Sequence, residues 1–124
     1  MALYPLTEFK ALVTAGVLDY LNTRRVSNTL DNLGWNKVQL MQLLAQLEDS
    51  DFQKTVRNCK VNYLEGNDLI HADQYEVHWD DETFTRQQSS LKATVSLSLK
   101  IAIFTDSQGR KAGLVTAHLS GSPW

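Results

Sequence analysis

The chain has 124 residues, of which 43% are hydrophobic, and a formal net charge of −2. These values are typical of one globular domain and exclude a disordered chain. No apolar run approaches the roughly 20 residues of a membrane-spanning helix, and the first ten residues lack a secretory pattern. The single cysteine, Cys59, excludes an internal disulfide. We therefore expect one cytoplasmic domain, residues 1–124, with no membrane partner.

The charges are segregated along the sequence. Residues 65–82 contain seven acidic residues and neither Lys nor Arg, whereas residues 86–124 contain five basic residues and one acid, Asp106. The basic part can offer a local surface to a phosphate-bearing partner, although the net charge of the molecule would not attract one.

The N-terminal part, residues 1–56, is predicted to be helical. Apolar residues recur there at helical spacing, behind residues that can cap a helix and, in two cases, ahead of a glycine. A Ser-x-x-Gln capping box predicts one further turn. The predicted elements are a helix from Thr7, Arg24–Leu33, Lys37–Leu47 behind the cap Asn36, and a turn from Ser50.

The C-terminal part, residues 57–119, is predicted to form an antiparallel sheet, followed by a tail over 120–124. Odd positions of residues 91–105 are all apolar and even positions mostly polar, an alternation that only a strand satisfies. The fold class is therefore α+β, with N-terminal helices packed on one face of a twisted antiparallel β-sheet. The predicted strands are Val61–Leu64, Leu69–Trp79, Leu91–Thr105 and Ala112–Leu119, with a turn over Glu65–Asp68 and a loop over Asp80–Ser90.

The last two strands are predicted to join through a three-residue loop, Ser107–Gly109, with Gly109 in the left-handed region. This loop places the apolar residues of both strands on one buried face and His118 beside Ser98 and Lys100 on the other. The residues predicted to be buried together are Leu97, Leu99, Ile101, Ile103, Leu40, Leu44 and Leu47.

Ser98, Lys100 and His118 form a candidate catalytic cluster on the open face, with Thr116 and Lys92 nearby. An imidazole can transfer a proton near neutral pH, and ammonium groups can hold a phosphate. This set suits metal-free cleavage of RNA by its own 2′-hydroxyl group. The alternative interpretation is a solvated sheet face with ordinary lysines.

Two other patterns are weaker. His71 and His78 lie among acidic residues, but their spacing matches no metal-ligand motif, so we expect a solvated acidic edge and no metal. Cys59 is interpreted as a partly buried apolar residue rather than a nucleophile.

The segment Leu6–Gly16 resembles the opening Leu-x-x-apolar-Lys-x-Leu-Val-x-Ala-Gly of the motility quorum-sensing regulator (MqsR) toxins. Leu33-Gly34, the helix over Val38–Leu47 and the segment Leu47–Thr55 continue the similarity in order, where the family carries Leu-x-x-Ser-Asp-Phe-x-Lys-Ser. The resemblance covers about the first 56 residues well and the strand region only loosely.

The resemblance implies a RelE-like fold and a messenger-RNA endoribonuclease that works without a metal or small-molecule cofactor. It also implies a cognate zinc-binding, helix-turn-helix antitoxin. Lys54 matches a functional lysine of the family, and Tyr75 its tyrosine in Trp-Gln-Asp-x-Tyr, whereas Ala72 replaces the glutamine of that motif. Ser98 stands for the tyrosine of Tyr-x-Lys, ahead of Lys100, and His118 stands for a lysine on the last strand.

Our leading hypothesis is therefore a toxin-like endoribonuclease of a bacterial toxin–antitoxin pair. The alternative is a catalytically diverged relative that binds a protein or RNA partner with the same sheet. In the leading hypothesis the catalytic residues are Lys54, His118 as general acid or base, and Tyr75 as a positioning group; the RNA-binding residues are Lys100, Ser98, Arg86 and Lys92; no residue binds a metal.

Overall fold

The computed structural model describes residues 1–62, 64 and 68–120 and has the predicted α+β fold class. Within that part the chain forms three α-helices, two short 3₁₀ turns and one six-stranded sheet. None of these helices is long and apolar enough to cross a membrane. The helices are α1 (Leu6–Thr14), α2 (Thr23–Leu33) and α3 (Lys37–Leu44), and the strands are β1 (Leu18–Tyr20), β2 (Phe52–Lys60), β3 (Leu69–Asp80), β4 (Thr85–Gln87), β5 (Val95–Asp106) and β6 (Gly109–Leu119).

The helix ends follow local capping chemistry. Asn36 begins α3 with a capping box, in which its side chain accepts a hydrogen bond from the backbone N–H of Gln39 and the Gln39 side chain accepts one from the backbone N–H of Asn36. Gly34 ends α2 in the left-handed conformation at φ 72°. Helix α3 ends at Leu44, three residues before the predicted end.

The sheet has the strand order β1-β6-β5-β3-β2, with the short β4 also paired to β3. Strand β1 runs parallel to β6, with Leu18 opposite Ala112, and the other pairs are antiparallel. The prediction of a purely antiparallel sheet was therefore wrong. The chain leaves α1, turns and adds three residues to the outer edge of β6.

Residues 52–56 are not helical, because β2 begins at Phe52. The predicted capping box from Ser50 does not form. Instead the carboxylate of Asp51 accepts a hydrogen bond from the Glu48 backbone N–H and closes a single 3₁₀ turn over Asp49–Asp51. β2 then pairs with β3, Lys54 opposite Gln74, so the sheet gains a strand that was assigned to the helical half.

The predicted bounds of three other strand segments were also wrong. A 3₁₀ turn over Ser90–Lys92 replaces the start of the long strand, which begins at Val95. β4 lies within the predicted loop, and β2 ends at Lys60, before the strand predicted over 61–64. Residues 65–67 of the predicted turn over Glu65–Asp68 and residues 121–124 of the predicted tail over 120–124 lie outside the described residues.

The β5–β6 hairpin confirms the predicted register at Ser98–His118 and Lys100–Thr116 but reaches it differently, and Ile101 pairs with Leu114 instead of with Val115 as the three-residue loop predicts. Asp106 pairs with Gly109, so the turn contains two residues instead of three. A bulge between the Lys100–Thr116 and Ile101–Leu114 pairs inserts one extra residue, Val115, into β6. The extra residue that the strand alternation requires is therefore Val115, within β6, and not a third residue of the turn.

The main core confirms the predicted burial. Leu97, Leu99, Ile101 and Ile103 are at most 5% exposed and share one apolar cluster with Leu40, Leu44 and Leu47. A second cluster covers one end of the other sheet face, which carries the even-numbered residues of β3 and β5 and is called the open face below. The buried members of this second cluster are Leu21, Val61, Ala72, Ala102, Phe104 and Val115. The other end of the open face carries polar residues.

Candidate functional site

Polar side chains form two adjacent rows across the polar end of the open face. One row runs from Lys54 on β2 through Gln74 and Lys100 to Thr116 on β6, since each is the registered partner of the next. Neighbouring strands lie about 4.8 Å apart, so this row spans about 14 Å. The second row contains Glu76, Ser98 and His118. Lys54, Lys100 and His118 therefore share one face of the sheet.

Lys100 occupies the middle of the first row and is half-buried. Burial lowers the pKa of its ammonium group, and the positive charges of Arg25 and Lys54 lower it further, whereas a Cys59 thiolate would raise it. An anion bound at this position would relieve the repulsion among these cations. The lowered pKa also makes Lys100 a stronger proton donor than an exposed lysine.

His118 is held in one tautomer by the backbone. Its Nδ1 atom lies 2.9 Å from the carbonyl oxygen of Leu119, which can only accept, so Nδ1 carries the proton. Nε2 is then the basic atom of the neutral ring, and it is buried. Burial is the main cause that lowers the pKa of the ring; the charges of Lys100 and Arg25 act in the same sense, and the hydrogen bond to Leu119 opposes them. A neutral imidazole is the form that a general base requires.

The two hydroxyl groups beside these residues are buried. Ser98 is 8% exposed, and its Oγ lies 3.4 Å from the Oγ of Ser120. Thr116 is 5% exposed, and its Oγ1 has no hydrogen-bond partner within the described part of the chain.

Tyr75 lies on the opposite face of the sheet from Lys54. Lys54 pairs with Gln74, and Tyr75, the next residue of β3, points to the other side because successive residues of a strand alternate. Its side chain is 1% exposed in the main core, and its ring packs edge-to-face on Phe52 at 5.6 Å between centroids. Burial, with the nearby charges of Asp73 and two further carboxylates, raises the pKa of the Tyr75 hydroxyl to about 12. The structure thus does not bring Tyr75 together with the other predicted catalytic residues.

Arg86 is also separate from the rows, since two carboxylates engage its guanidinium group. Its Nε and Nη2 atoms donate to the two carboxylate oxygens of Asp51 at 2.9 and 2.6 Å, and Nη1 lies 3.2 Å from Glu48. The Arg86 and Asp51 side chains are each 8% exposed, and this pairing raises the pKa of Arg86. Arg86 therefore has a structural partner at the position where the sequence predicted an RNA contact.

The remaining predicted positions are dispersed. Lys92 is exposed on a 3₁₀ turn outside the sheet. His71 and His78 point to opposite faces of β3: the His71 Nδ1 accepts from the Asn58 backbone N–H, whereas the His78 Nδ1 lies 2.7 Å from the Ser96 Oγ. Among the described residues, no group of three or more His, Cys, Asp or Glu side chains is placed to hold a metal ion.

Sequence reasoning missed Gln74 and Glu76 as neighbours of the predicted cluster. The sequence contained a signal for both, because residues 72, 74 and 76 of a strand point to the same face. The MqsR resemblance aligned Ala72 with a functional glutamine of that family. Gln74 lies between Lys54 and Lys100 only because β2 is a strand, which the helical prediction concealed.

Comparison with known proteins adds no assignment. None of the family models, curated proteins or solved structures matches this chain. The resemblance to the MqsR toxins therefore stays a prediction from the sequence.

Proposed function

We propose that this protein is a metal-independent messenger-RNA endoribonuclease, the toxin of a bacterial toxin–antitoxin pair, with helices packed on a twisted sheet in the RelE-like manner. The observation that carries the proposal is the common face of Lys54, Lys100 and His118. The MqsR resemblance supplied Lys54, and hairpin alternation independently supplied the other two. Two separate arguments thus lead to one surface.

The proposed reaction uses the 2′-hydroxyl group of RNA as the nucleophile. The Nε2 atom of His118 accepts the 2′-hydroxyl proton, the 2′-oxygen attacks phosphorus, and the bond from phosphorus to the 5′-oxygen breaks. The leaving 5′-oxygen takes a proton from Lys100, and Lys54 stabilises the negative charge on the phosphoryl oxygens. The products are a 2′,3′-cyclic phosphate and a 5′-hydroxyl end.

The proposal also requires movement at His118. Because its Nε2 is buried in the unbound protein, the ribose reaches this atom only when neighbouring side chains shift as RNA binds. Catalytic hydrogen bonds are commonly long or misaligned before substrate binds, so this requirement is compatible with general-base catalysis.

The second candidate is a binding module that has lost catalysis. It is favoured by the burial of Tyr75 and by the ion pair of Arg86, which remove two predicted contacts from the open face. Such a protein would bind RNA or a protein partner through Lys54 and Lys100 without breaking a bond.

The proposed toxin would act in the cytoplasm and be neutralised by a zinc-binding, helix-turn-helix antitoxin. An adjacent gene for such a protein would support the toxin assignment. Induced expression of the chain alone should stop bacterial growth and fragment messenger RNA, and co-expression of that antitoxin should restore growth. Harmless expression with intact messenger RNA would support the binding module instead.

The biochemical test is cleavage of single-stranded RNA by purified protein in the presence of a metal chelator. The proposal predicts fragments with cyclic phosphate ends and no cleavage of the same sequence made with 2′-deoxyribose. Lys54→Ala should reduce cleavage, whereas Lys60→Ala should not. Lys60 is a matched control because it is an exposed lysine on the same strand. Its registered partner is Leu69, an odd-numbered residue of β3, so Lys60 lies on the face opposite the open face. Intact RNA with native wild-type protein would refute the proposal.

A further inference from the structure

Helix α2 lies along the edge of β6 beyond the three residues paired with β1. The Asn22 side chain, just before α2, donates to the carbonyl oxygens of Val115 at 2.8 Å and Lys60 at 3.1 Å. Two turns later the Thr29 hydroxyl donates to the carbonyl oxygen of Ala117 at 2.6 Å. The helix is thus attached to β6 on both sides of Thr116.

Arg25 lies on the same side of α2 as Thr29, since residues four apart in a helix are neighbours on one face. Arg25 therefore lies on the side of α2 that faces β6, between the two points where the helix is attached on either side of Thr116. Thr116 is the β6 end of the row that runs to Lys54. The charge of Arg25 acts on Lys100 and on His118, which is consistent with this position. Arg24 precedes it by one residue and is therefore rotated about 100° around the helix.

We propose that Arg25 extends this row into a track for the backbone of single-stranded RNA, in which Arg25, Lys100 and Lys54 contact successive parts of the chain. This inference rests on the proposed function for the identity of the ligand. The track consists of Arg25, Thr116, Lys100, Gln74 and Lys54, so cationic and neutral polar groups alternate. It crosses the strands and passes beside His118.

Among the described residues, carboxylates engage three cations away from the track but not the two cations at its ends. Arg86, Arg110 and Lys111 each form an ion pair with a carboxylate. Within the described ranges neither Arg25 nor Lys54, at the two ends of the track, forms one. Both side chains are exposed. Exposed cations at the two ends of the track, with the half-buried Lys100 and the Gln74 amide between them, suit a chain of phosphates, which needs charge contacts and neutral hydrogen-bond donors.

The test measures binding of a 2′-deoxy oligonucleotide, which lacks the nucleophile and cannot be cleaved, at several salt concentrations. Each phosphate contact that is lost should reduce the slope of log affinity against log salt by about 0.7. Arg25→Ala should weaken binding and reduce the slope by about this amount, as should Lys54→Ala. Arg24→Ala removes the same charge one residue away and should leave the slope unchanged.

The result distinguishes this inference from the proposed nuclease activity. A wild-type protein that binds the oligonucleotide but leaves RNA uncut would refute the nuclease and retain the track. Equal slopes for wild type and Arg25→Ala, equal losses for Arg24→Ala and Arg25→Ala, or no binding by wild type would each overturn the track, whether or not RNA is cleaved. The thermal unfolding midpoint of each variant confirms that it is folded.

Discussion

Ser98 and His118 are registered partners across β5 and β6, and the bulge at Val115 makes this pairing possible. With a two-residue turn and no bulge, Thr116 would pair with Leu99 and His118 with Leu97, on the core face. The extra residue shifts every later position of β6 by one. The histidine therefore reaches the open face through an irregularity within the strand, not through the length of the loop.

Leu99→Ala should lower the free energy of unfolding by about 2–5 kcal/mol. Leu99 is completely buried in the main core, so truncation leaves a cavity there. Denaturant unfolding of the purified variant measures the change. Lys54→Ala is the exposed control and should change stability by less than about 0.5 kcal/mol. A loss below about 1 kcal/mol for Leu99→Ala would contradict the observed core.

Arg86→Ala should lower the free energy of unfolding by about 3–5 kcal/mol, because it leaves the buried carboxylate of Asp51 without its cationic partner. Lys92→Ala removes a positive charge from an exposed site and should be nearly neutral. Chemical denaturation of the two variants compares them directly. An Arg86→Ala variant of wild-type stability with weakened RNA binding would instead return Arg86 to the role predicted from the sequence.

His118 should make stability depend on pH. Its pKa is lower in the folded protein than the value of about 6.5 in the unfolded chain, so the unfolded state binds more protons between these two values. The stabilising contribution of the neutral His118 ring to the free energy of unfolding is fully present above about pH 6.5, and it is lost as the pH falls through the pKa of the folded protein. The stability of wild type relative to His118→Gln should therefore decrease from pH 7 to pH 5. A pH-independent difference would contradict the burial of the ring.

Tyr75→Phe should leave the rate of RNA cleavage unchanged. The hydroxyl that it removes belongs to a side chain buried in the main core, on the other side of the sheet from Lys54 and His118. Cleavage by the folded variant measures this under the conditions used for wild type. A loss of a hundredfold or more, of the size expected for a proton-transfer group, would mean that Tyr75 reaches the substrate.

Local sequence patterns predicted most of the elements whose formation depends only on residues close together in the sequence. The Asn36 cap and the alternation along residues 95–105 each correspond to an observed element. β2 was missed because five of its nine residues are exposed, so it lacks the buried apolar alternation that identified β5. β1 was missed because a strand of three residues is too short to show an alternation of apolar and polar residues.

The candidate site was predicted in part for the same reason. Ser98, Lys100 and His118 follow from strand alternation, which is local. Arg86 was assigned to RNA because its partner, Asp51, is 35 residues away and no local pattern links them. Arg25 was missed because its position on the β6 side of α2 depends on the long-range hydrogen bond from Thr29 to Ala117.

The central claim is that His118 transfers a proton during RNA cleavage on the open face. The measurement that tests it most directly compares wild type with His118→Ala, as single-turnover cleavage of one RNA in the presence of a chelator. We predict that wild type cleaves and that the folded variant is slower by about two to four decades, the usual contribution of a general acid or base. Equal rates for the two proteins, or no cleavage by folded wild type, would contradict the claim.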